Sequence, residues 1–206
     1  MKGQAITLGR IGILLPIAVI IPFLGPLAQI GALVLLLFSH YYFSKSYEKP
    51  EIFKKALIGT IIVVAGNVIG GIFIAIGVGT AIFTSADTGL NMSNYQEIMG
   101  QIFGGGMSIF GLIIMLAAGI VGVYFIFKSL QALGETTNIN LFKTAGLLYL
   151  IGIISSIILV GFFVIFAGWI LHVIAYFSLR QEQEAADTCA KKSNTYAPAD
   201  TIPGAF

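Results

Sequence analysis

Four long apolar stretches run along the chain, at about residues 11–43, 56–83, 107–133 and 145–179. A helix needs about 20 residues to cross the hydrocarbon core of a bilayer, so every stretch can hold a membrane-spanning helix. The first and last stretches are longer than one span, and each contains a helix-breaking signal: Pro22 and Pro26 lie on either side of Gly25, and Gly161 interrupts the last. The pattern therefore predicts an all-α, polytopic transmembrane bundle of about six spans, with four spans as the alternative.

The basic residues favour six spans. Lysine and arginine concentrate in short cytoplasmic loops. With six spans, all 11 basic residues lie on one side of the membrane together with both termini. With four spans, Lys45 and Lys49 would lie opposite Lys2 and Arg10. We therefore predict a multi-pass protein of the cell membrane with both termini in the cytoplasm. The predicted helices cover residues 5–21, 27–46, 52–84, 104–134, 141–160 and 162–182.

The composition supports a membrane protein and excludes several other classes. Only 10% of the 206 residues are charged, 57% are hydrophobic, and the mean hydropathy is +0.96. A soluble domain carries about 25% charged residues, and a disordered chain has low hydrophobicity. The net charge of +2 provides no basic field for a nucleic acid partner. With one cysteine and two histidines, the sequence predicts no metal site and no cofactor.

The chain divides into a transmembrane domain, residues 1–182, and a C-terminal cytoplasmic tail, residues 183–206. The composition of the tail predicts disorder in isolation, unless the tail docks on a larger assembly. The segment between the third and fourth helices is the predicted external loop. It contains a glycosylation sequon at Asn91, a capping box at Ser93 that predicts a short helix over residues 94–103, and a glycine hinge at residues 104–106.

The chain resembles itself at an offset of 89 residues. The segments Ile52-Phe53-Lys54-Lys55-Ala56 and Leu141-Phe142-Lys143-Thr144-Ala145 match. Helices two and three would then be a parallel repeat of helices four and five, unless the likeness reflects apolar composition alone. In either case we expect Phe53, Lys54, Phe142 and Lys143 to be interfacial anchors, with the rings at the lipid headgroups and the lysines reaching the phosphates.

Polar side chains inside predicted spans are costly and are often functional. The candidate intramembrane polar residues are His172, Asn67, Gln29, Ser155 and Ser156. They can stabilise helix packing through hydrogen bonds, or Asn67, Ser155 and His172 can converge on one polar cavity. Apart from Glu182, the last residue of the sixth predicted helix, no carboxylate lies within the predicted spans to pair with His172, which argues against an ion-coupled pump.

Small residues predict where helices approach closely. Gly66 and Gly70 in helix three have the small-xxx-small spacing, and Gly119 and Gly122 give helix four small residues as well. We therefore expect these two helices to be central in the bundle.

Three short segments carry a resemblance to a known family: Leu8-Gly9-Arg10-Ile11-Gly12, Ile52-Phe53-Lys54-Lys55-Ala56-Leu57 and Gly168-Trp169-Ile170-Leu171. Across about residues 5–182 the chain resembles a family of uncharacterised prokaryotic, largely archaeal, integral membrane proteins defined as a domain of unknown function. The resemblance implies a multi-span helical fold and supplies no catalytic residue.

Three functions are compatible with these observations. The absence of a recognisable catalytic motif favours a non-enzymatic accessory or scaffolding subunit of a membrane assembly, whose partners are the lipid bilayer and other membrane subunits or a second copy. The rival is a small-solute transporter or channel with a path between the two repeats. The third is a membrane enzyme acting on lipids, with interfacial residues such as His40.

Overall fold

The computed structural model describes residues 2–20, 24–87, 106–158 and 160–195, and within them the chain is helical without a strand. The α-helices are α1 (Lys2–Leu14), α2 (Leu24–Ser46), α3 (Pro50–Asp87), α4 (Gly106–Thr137), α5 (Asn140–Ser155) and α6 (Val160–Thr195). The predicted all-α helical bundle is confirmed. Asn91, the predicted helix at 94–103 and residues 104–105 of the predicted hinge lie outside the described residues.

The structure has separate helices on either side of both predicted breaks. Of the first break, Pro22 lies outside the described residues, whereas Gly25 and Pro26 lie in the first turn of α2. After α1 the chain continues as a 3-10 helix, Leu15–Ile20, before α2 begins at Leu24. After α5 a single 3-10 turn, Ser156–Ile158, precedes α6. A Cβ atom at Gly161 would collide with the Ser156 nitrogen and the Gly152 carbonyl oxygen, so this turn requires glycine. Over the residues that the structure describes, α1 is a separate helix from α2, and α5 is a separate helix from α6.

Four helices of the described chain are long and apolar enough to cross a membrane, over Leu27–Ser46, Pro50–Thr80, Gly106–Thr137 and Val160–Leu179. Helix α5 is apolar but shorter, and α1 has 13 residues before its 3-10 extension. The structure therefore supports a membrane location, and the crossing of the membrane by α1 and α5 stays a prediction.

The six helices pack in chain order as a closed ring. Each helix lies antiparallel to the next, and α1 packs against α6 to complete the circle. The indole Nε1 of Trp169 on α6 donates a hydrogen bond of 2.9 Å to the carbonyl oxygen of Ile13 at the end of α1. The side chain of Arg10 donates from α1 to the carbonyl oxygens of Tyr176 and Phe177. These bonds join the first helix to the last.

Helices α3 and α4 form the most extensive contact of the bundle, and small residues make it possible. A Cβ at Gly66 would collide with Ala118, one at Gly70 would lie 2.6 Å from the Gly111 carbonyl oxygen, and one at Gly122 would lie 2.7 Å from the Gly59 carbonyl oxygen. Gly119 instead faces Ile153 on α5. Three of the four predicted packing glycines thus lie between α3 and α4, and the fourth lies between α4 and α5.

The best-packed part of the bundle is one end, which we call the basic end. It contains the chain start, the turns α2–α3 and α4–α5, and the middle of α6. The fully buried large side chains cluster there: Phe43, Ile52, Leu130, Leu133, Phe142 and Tyr176. The ammonium of Lys2 lies 4.6 Å from the ring centre of Tyr47, which places the start of α1 beside the α2–α3 turn. The antiparallel ring thus gathers the basic helix ends as the charge pattern predicted.

Helix α6 ends later than predicted. It continues to Thr195 rather than stopping at residue 182, so residues 183–195 are helical and not part of an irregular tail. Alanine, glutamate, glutamine and lysine are good helix formers, and this segment is rich in them, so an existing helix propagates through it.

The two turns at the basic end have the same backbone geometry. Glu48 and Asn138 both have left-handed conformations, with φ of 55° and 56°, just after α2 and α4. The first buried residue of the next helix then bonds back to the turn, from Ile52 N to Lys49 O and from Phe142 N to Ile139 O. These equivalences correspond to an offset of 90 residues rather than 89. Common ancestry of the two halves stays a prediction.

Candidate functional site

A cleft of about 280 Å³ lies within the helix ring, between α2, α3, α4 and α6. Its walls are aliphatic: Ala32, Leu33, Leu36, Leu37, Ala56, Val63, Ile126 and Leu130. Four polar side chains also line it, namely Gln29, His40, Thr60 and His172. The cleft therefore combines an apolar body with a few polar groups, as ligand sites usually do.

The cleft follows α2 along its length. Gln29 and His40 are separated by eleven residues, about 16 Å along a helix axis at 1.5 Å per residue. Gln29 is exposed, whereas the relative solvent-accessible area is 6% for His40 and 4% for His172. The exposed end of the cleft is therefore marked by an amide and the inner end by two imidazoles.

The hydrogen bonding of His40 fixes its tautomer. Its Nδ1 lies 2.8 Å from the carbonyl oxygen of Leu36, one turn earlier in α2. A carbonyl oxygen only accepts, so Nδ1 carries the proton and the neutral ring has its lone pair on Nε2. This Nε2 is buried and has no hydrogen-bond partner in the described structure. His40, a residue that lines the cleft, thus has a buried acceptor that is not used.

His172 is held by aromatic neighbours. Its ring stacks on Tyr176 with centres 5.2 Å apart, and the ring of Phe142 lies nearly perpendicular to it with centres 5.8 Å apart. Its Nδ1 lies 3.3 Å from the hydroxyl of Tyr149 on α5. If the Tyr149 hydroxyl donates this bond, Nδ1 of His172 is the acceptor, and the single ring proton of neutral His172 resides on Nε2. The Nε2 of His172 is also buried without a partner.

A hydrogen-bonded chain positions Tyr176, and through it the His172 ring. The Tyr176 hydroxyl lies 3.2 Å from Ser39 Oγ, and Ser39 donates a bond of 2.8 Å to the carbonyl oxygen of Ala5. A Cβ at Gly9 would overlap the Tyr176 ring, so α1 can approach only because glycine stands there. Contacts with α1 and α2 therefore hold Tyr176 of α6, the ring on which His172 stacks.

The two unpartnered imidazole nitrogens are energetically unfavourable. An unsatisfied buried donor or acceptor costs about 1–3 kcal/mol. Both belong to the same cleft, and no group of three potential metal ligands exists among the described residues. The pair therefore offers hydrogen bonds rather than metal ligation: Nε2 of His40 can accept one, and Nε2 of His172 can donate one when Tyr149 donates to its Nδ1.

The structure separates the polar residues that the sequence grouped together. His172 and Gln29 line the cleft, but Asn67 is exposed and is not among the residues that line it. Its side-chain Nδ2 donates a hydrogen bond of 2.8 Å to the carbonyl oxygen of Val63, one turn earlier in α3. Ser155 is half-buried at the end of α5, and Ser156 donates to the Ile153 carbonyl oxygen. The alternative in which Asn67, Ser155 and His172 converge on one polar cavity is wrong, because of the three only His172 lines the cleft.

The predicted anchors also differ from one another. Phe53 is half-buried and packs edge-on against Tyr41, Lys54 is exposed, and Lys143 lies 3.7 Å from Glu135. Phe142 is fully buried against His172 and Tyr176, so it does not contact headgroups. The cause is the 90-residue offset between the turns, which makes Phe142 equivalent to the buried Ile52 and not to Phe53.

His40 was considered only as an interfacial residue, yet a signal for its place exists. Gln29, Leu33, Leu36 and His40 follow the spacing i, i+4, i+7, i+11, which puts all four on one helix face. That face forms one wall of the cleft. Tyr149 was missed because nothing in the sequence connects it with His172 across two helices.

Comparisons with known proteins agree with the resemblance seen in the sequence. Residues 28–170 match the family described as "Protein of unknown function (DUF996)". The chain is 31% identical over 156 residues to the "Uncharacterized protein MJ1644" of the archaeon Methanocaldococcus jannaschii, covering 75% of this chain and 81% of the relative. No solved structure matches the chain. The matched region contains α3, α4, α5 and almost all of the cleft, and the chain belongs to the DUF996 family of proteins of unknown function.

Proposed function

We propose that this chain is a multi-pass protein of the cell membrane, with both termini cytoplasmic, that acts as a non-enzymatic accessory or scaffolding subunit of a membrane assembly. The observation that carries the proposal is the position of Asn67. Asn67 lies near the middle of α3, and its side chain is exposed in the chain as described. Polar residues in membrane-spanning segments almost always face the protein interior or a water-filled cavity.

The surroundings of Asn67 favour a helical partner. Val64 and Val68 are exposed beside it, and a Cβ placed at Gly71, one turn further on, would have no atom within 4 Å. The bond to the Val63 carbonyl oxygen uses one hydrogen of the Asn67 side-chain amide and leaves the side-chain oxygen of Asn67 available to a neighbour. A transmembrane helix of another subunit that donates a hydrogen bond here would satisfy the amide and approach closely over Gly71.

The test is purification of the tagged full-length chain from its native host in mild detergent. We expect a membrane protein partner at stoichiometric amounts with the wild type, and a several-fold loss of this partner with Asn67→Leu. Val64→Leu, on the same exposed face, is the matched control and should retain the partner. A wild-type chain that purifies as a clean monomer would refute the assembly role, and recovery of a dimer alone would assign the face to a second copy.

A small-solute transporter or channel is the second candidate, and the cleft favours it. Its polar lining consists of Gln29, Thr60, His40 and His172, so of the path suggested by the sequence only His172 is retained. Reconstitution into liposomes tests it directly. Solute flux that depends on the protein and falls with Gln29→Leu would support transport over scaffolding, and impermeable liposomes at high protein density would remove it.

A further inference from the structure

We propose that the cleft at His40 and His172 binds a neutral, membrane-soluble molecule that carries a hydroxyl group on an apolar body. The site does not depend on whether the chain is a subunit or a transporter. It is defined by two imidazoles that line the same cleft, each with a buried Nε2 that has no partner in the described structure.

The hydrogen-bonding capacity of the pair selects the functional group. His40 offers an acceptor, because its Nδ1 proton is committed to the Leu36 carbonyl oxygen. His172 offers a donor when Tyr149 donates to its Nδ1. A hydroxyl donates to the first nitrogen and accepts from the second. An ether or a ketone can only accept, and would leave His40 unsatisfied.

The walls of the cleft select the rest of the ligand. The lining residues include no lysine, arginine, aspartate or glutamate, so an ion would enter without a counter-charge. The remaining walls are aliphatic except for Thr60 and Gln29. At about 30 Å³ for a group the size of water or methylene, 280 Å³ holds on the order of ten non-hydrogen atoms. A medium-chain alcohol has the size and polarity that the cleft requires.

The experiment uses the purified full-length chain in detergent and a ten-carbon alcohol that carries a photoreactive diazirine. Labelled peptides are mapped by mass spectrometry. We expect labelling of cleft walls such as Leu33 and Val63. Competition by 1-decanol should be about tenfold stronger than competition by 1-methoxynonane, which has the same size but no hydroxyl proton, because one hydrogen bond to a buried group is lost.

Two variants show whether the imidazole is responsible. His40→Leu should remove the preference for the alcohol over the ether while labelling of the apolar walls persists. Phe38→Leu, on the exposed face of α2, should leave the preference unchanged. Since His40→Leu can also disturb folding, ¹⁵N NMR of the histidine rings in the wild type gives a second measurement. The His40 Nε2 resonance should move with 1-decanol and not with 1-methoxynonane.

Three results would overturn the proposal. Equal competition by alcohol and ether would show an apolar slot without hydroxyl recognition. Labelling spread over lipid-facing residues such as Phe38 would show partitioning into the micelle. Histidine resonances that do not respond to the alcohol would show that water alone serves the two nitrogens.

Discussion

Ser129 on α4 donates a hydrogen bond of 2.6 Å to the carbonyl oxygen of Ile52 in the first turn of α3, and both residues are fully buried. The bond joins the end of one helix to the start of another at the basic end. Its acceptor is a backbone atom, so the interaction fixes the relative height of α3 and α4 without requiring a second polar side chain.

Ser129→Ala should therefore lower the free energy of unfolding. Side-chain hydrogen bonds between membrane helices contribute about 0.6 kcal/mol on average and up to about 1.7 kcal/mol, and the short, buried geometry here favours the upper part of that range. The measurement is SDS-driven unfolding in mixed micelles, followed by circular dichroism. Ser178→Ala is the matched control, because the exposed Ser178 hydroxyl bonds only within α6, to Ile174. Equal effects of the two substitutions would show that the interhelical bond contributes nothing.

Two adjacent glycines of α3 should respond in opposite ways to alanine. A Cβ at Gly70 would meet Met115 and lie 2.6 Å from the Gly111 carbonyl oxygen, so α3 and α4 must separate. We expect Gly70→Ala to destabilise the protein by about 1–3 kcal/mol, as overpacking does. A Cβ at Gly71 meets nothing within 4 Å, so Gly71→Ala should be neutral or stabilising by up to about 1 kcal/mol.

The unfolding of both glycine variants can be compared in the same micelles. Because the two residues are neighbours in one helix, effects on helix propensity cancel and the difference reports packing alone. If Gly70→Ala is as stable as Gly71→Ala, α3 and α4 do not approach as closely as the structure shows.

The two phenylalanines that the internal repeat aligns should differ in importance. Phe142 is fully buried against His172 and Tyr176, and Phe142→Ala should cost about 3–5 kcal/mol. Phe53 is half-buried beside Tyr41, and Phe53→Ala should cost considerably less. Thermal unfolding in detergent measures both. Similar costs would indicate that the two rings have equivalent surroundings, as the 89-residue alignment assumed.

The helices and their breaks could be predicted because they depend on local chemistry. Proline near residue 24 and glycine at 161 disfavour a continuous helix, and proline at position 50 suits a helix start. The gathering of basic residues at one end also followed from charge alone. The end of α6 was predicted too early because a polar composition was taken to indicate disorder, although the same residues are good helix formers.

The candidate site could be predicted only in part, since membrane helices are apolar on every face. In α3 all faces are apolar, so the pattern does not reveal that Gly66 and Gly70 face α4 while Asn67 is exposed. His172 and Gln29 were named as candidates, but their common cleft depends on how α2 and α6 are arranged in the ring. Nothing along the chain encodes that arrangement directly.

The ring also predicts on which side of the membrane each turn lies. Lys2 contacts Tyr47, so the chain start and the α2–α3 turn are neighbours, and the antiparallel order places the α4–α5 turn at the same end. If α1 and α5 cross the membrane with the four longer helices, cysteines introduced at Gly3, Lys49 and Asn140 all face the cytoplasm. These three side-chain positions are exposed. Position 85, near the opposite end of α3, then lies on the extracellular side of the membrane.

Labelling intact cells with a membrane-impermeant maleimide, after replacing the native Cys189 with serine, tests this arrangement. We expect Ser85→Cys to react in intact cells, and Gly3→Cys, Lys49→Cys and Asn140→Cys to react only after the cells are opened. Gly3 is the decisive position, because a chain in which only the four longer helices cross would put Gly3 on the same side as Ser85. Reaction of Gly3→Cys in intact cells would contradict six spans, and it would also conflict with the Lys2–Tyr47 contact, since Tyr47 belongs to the turn beside Lys49.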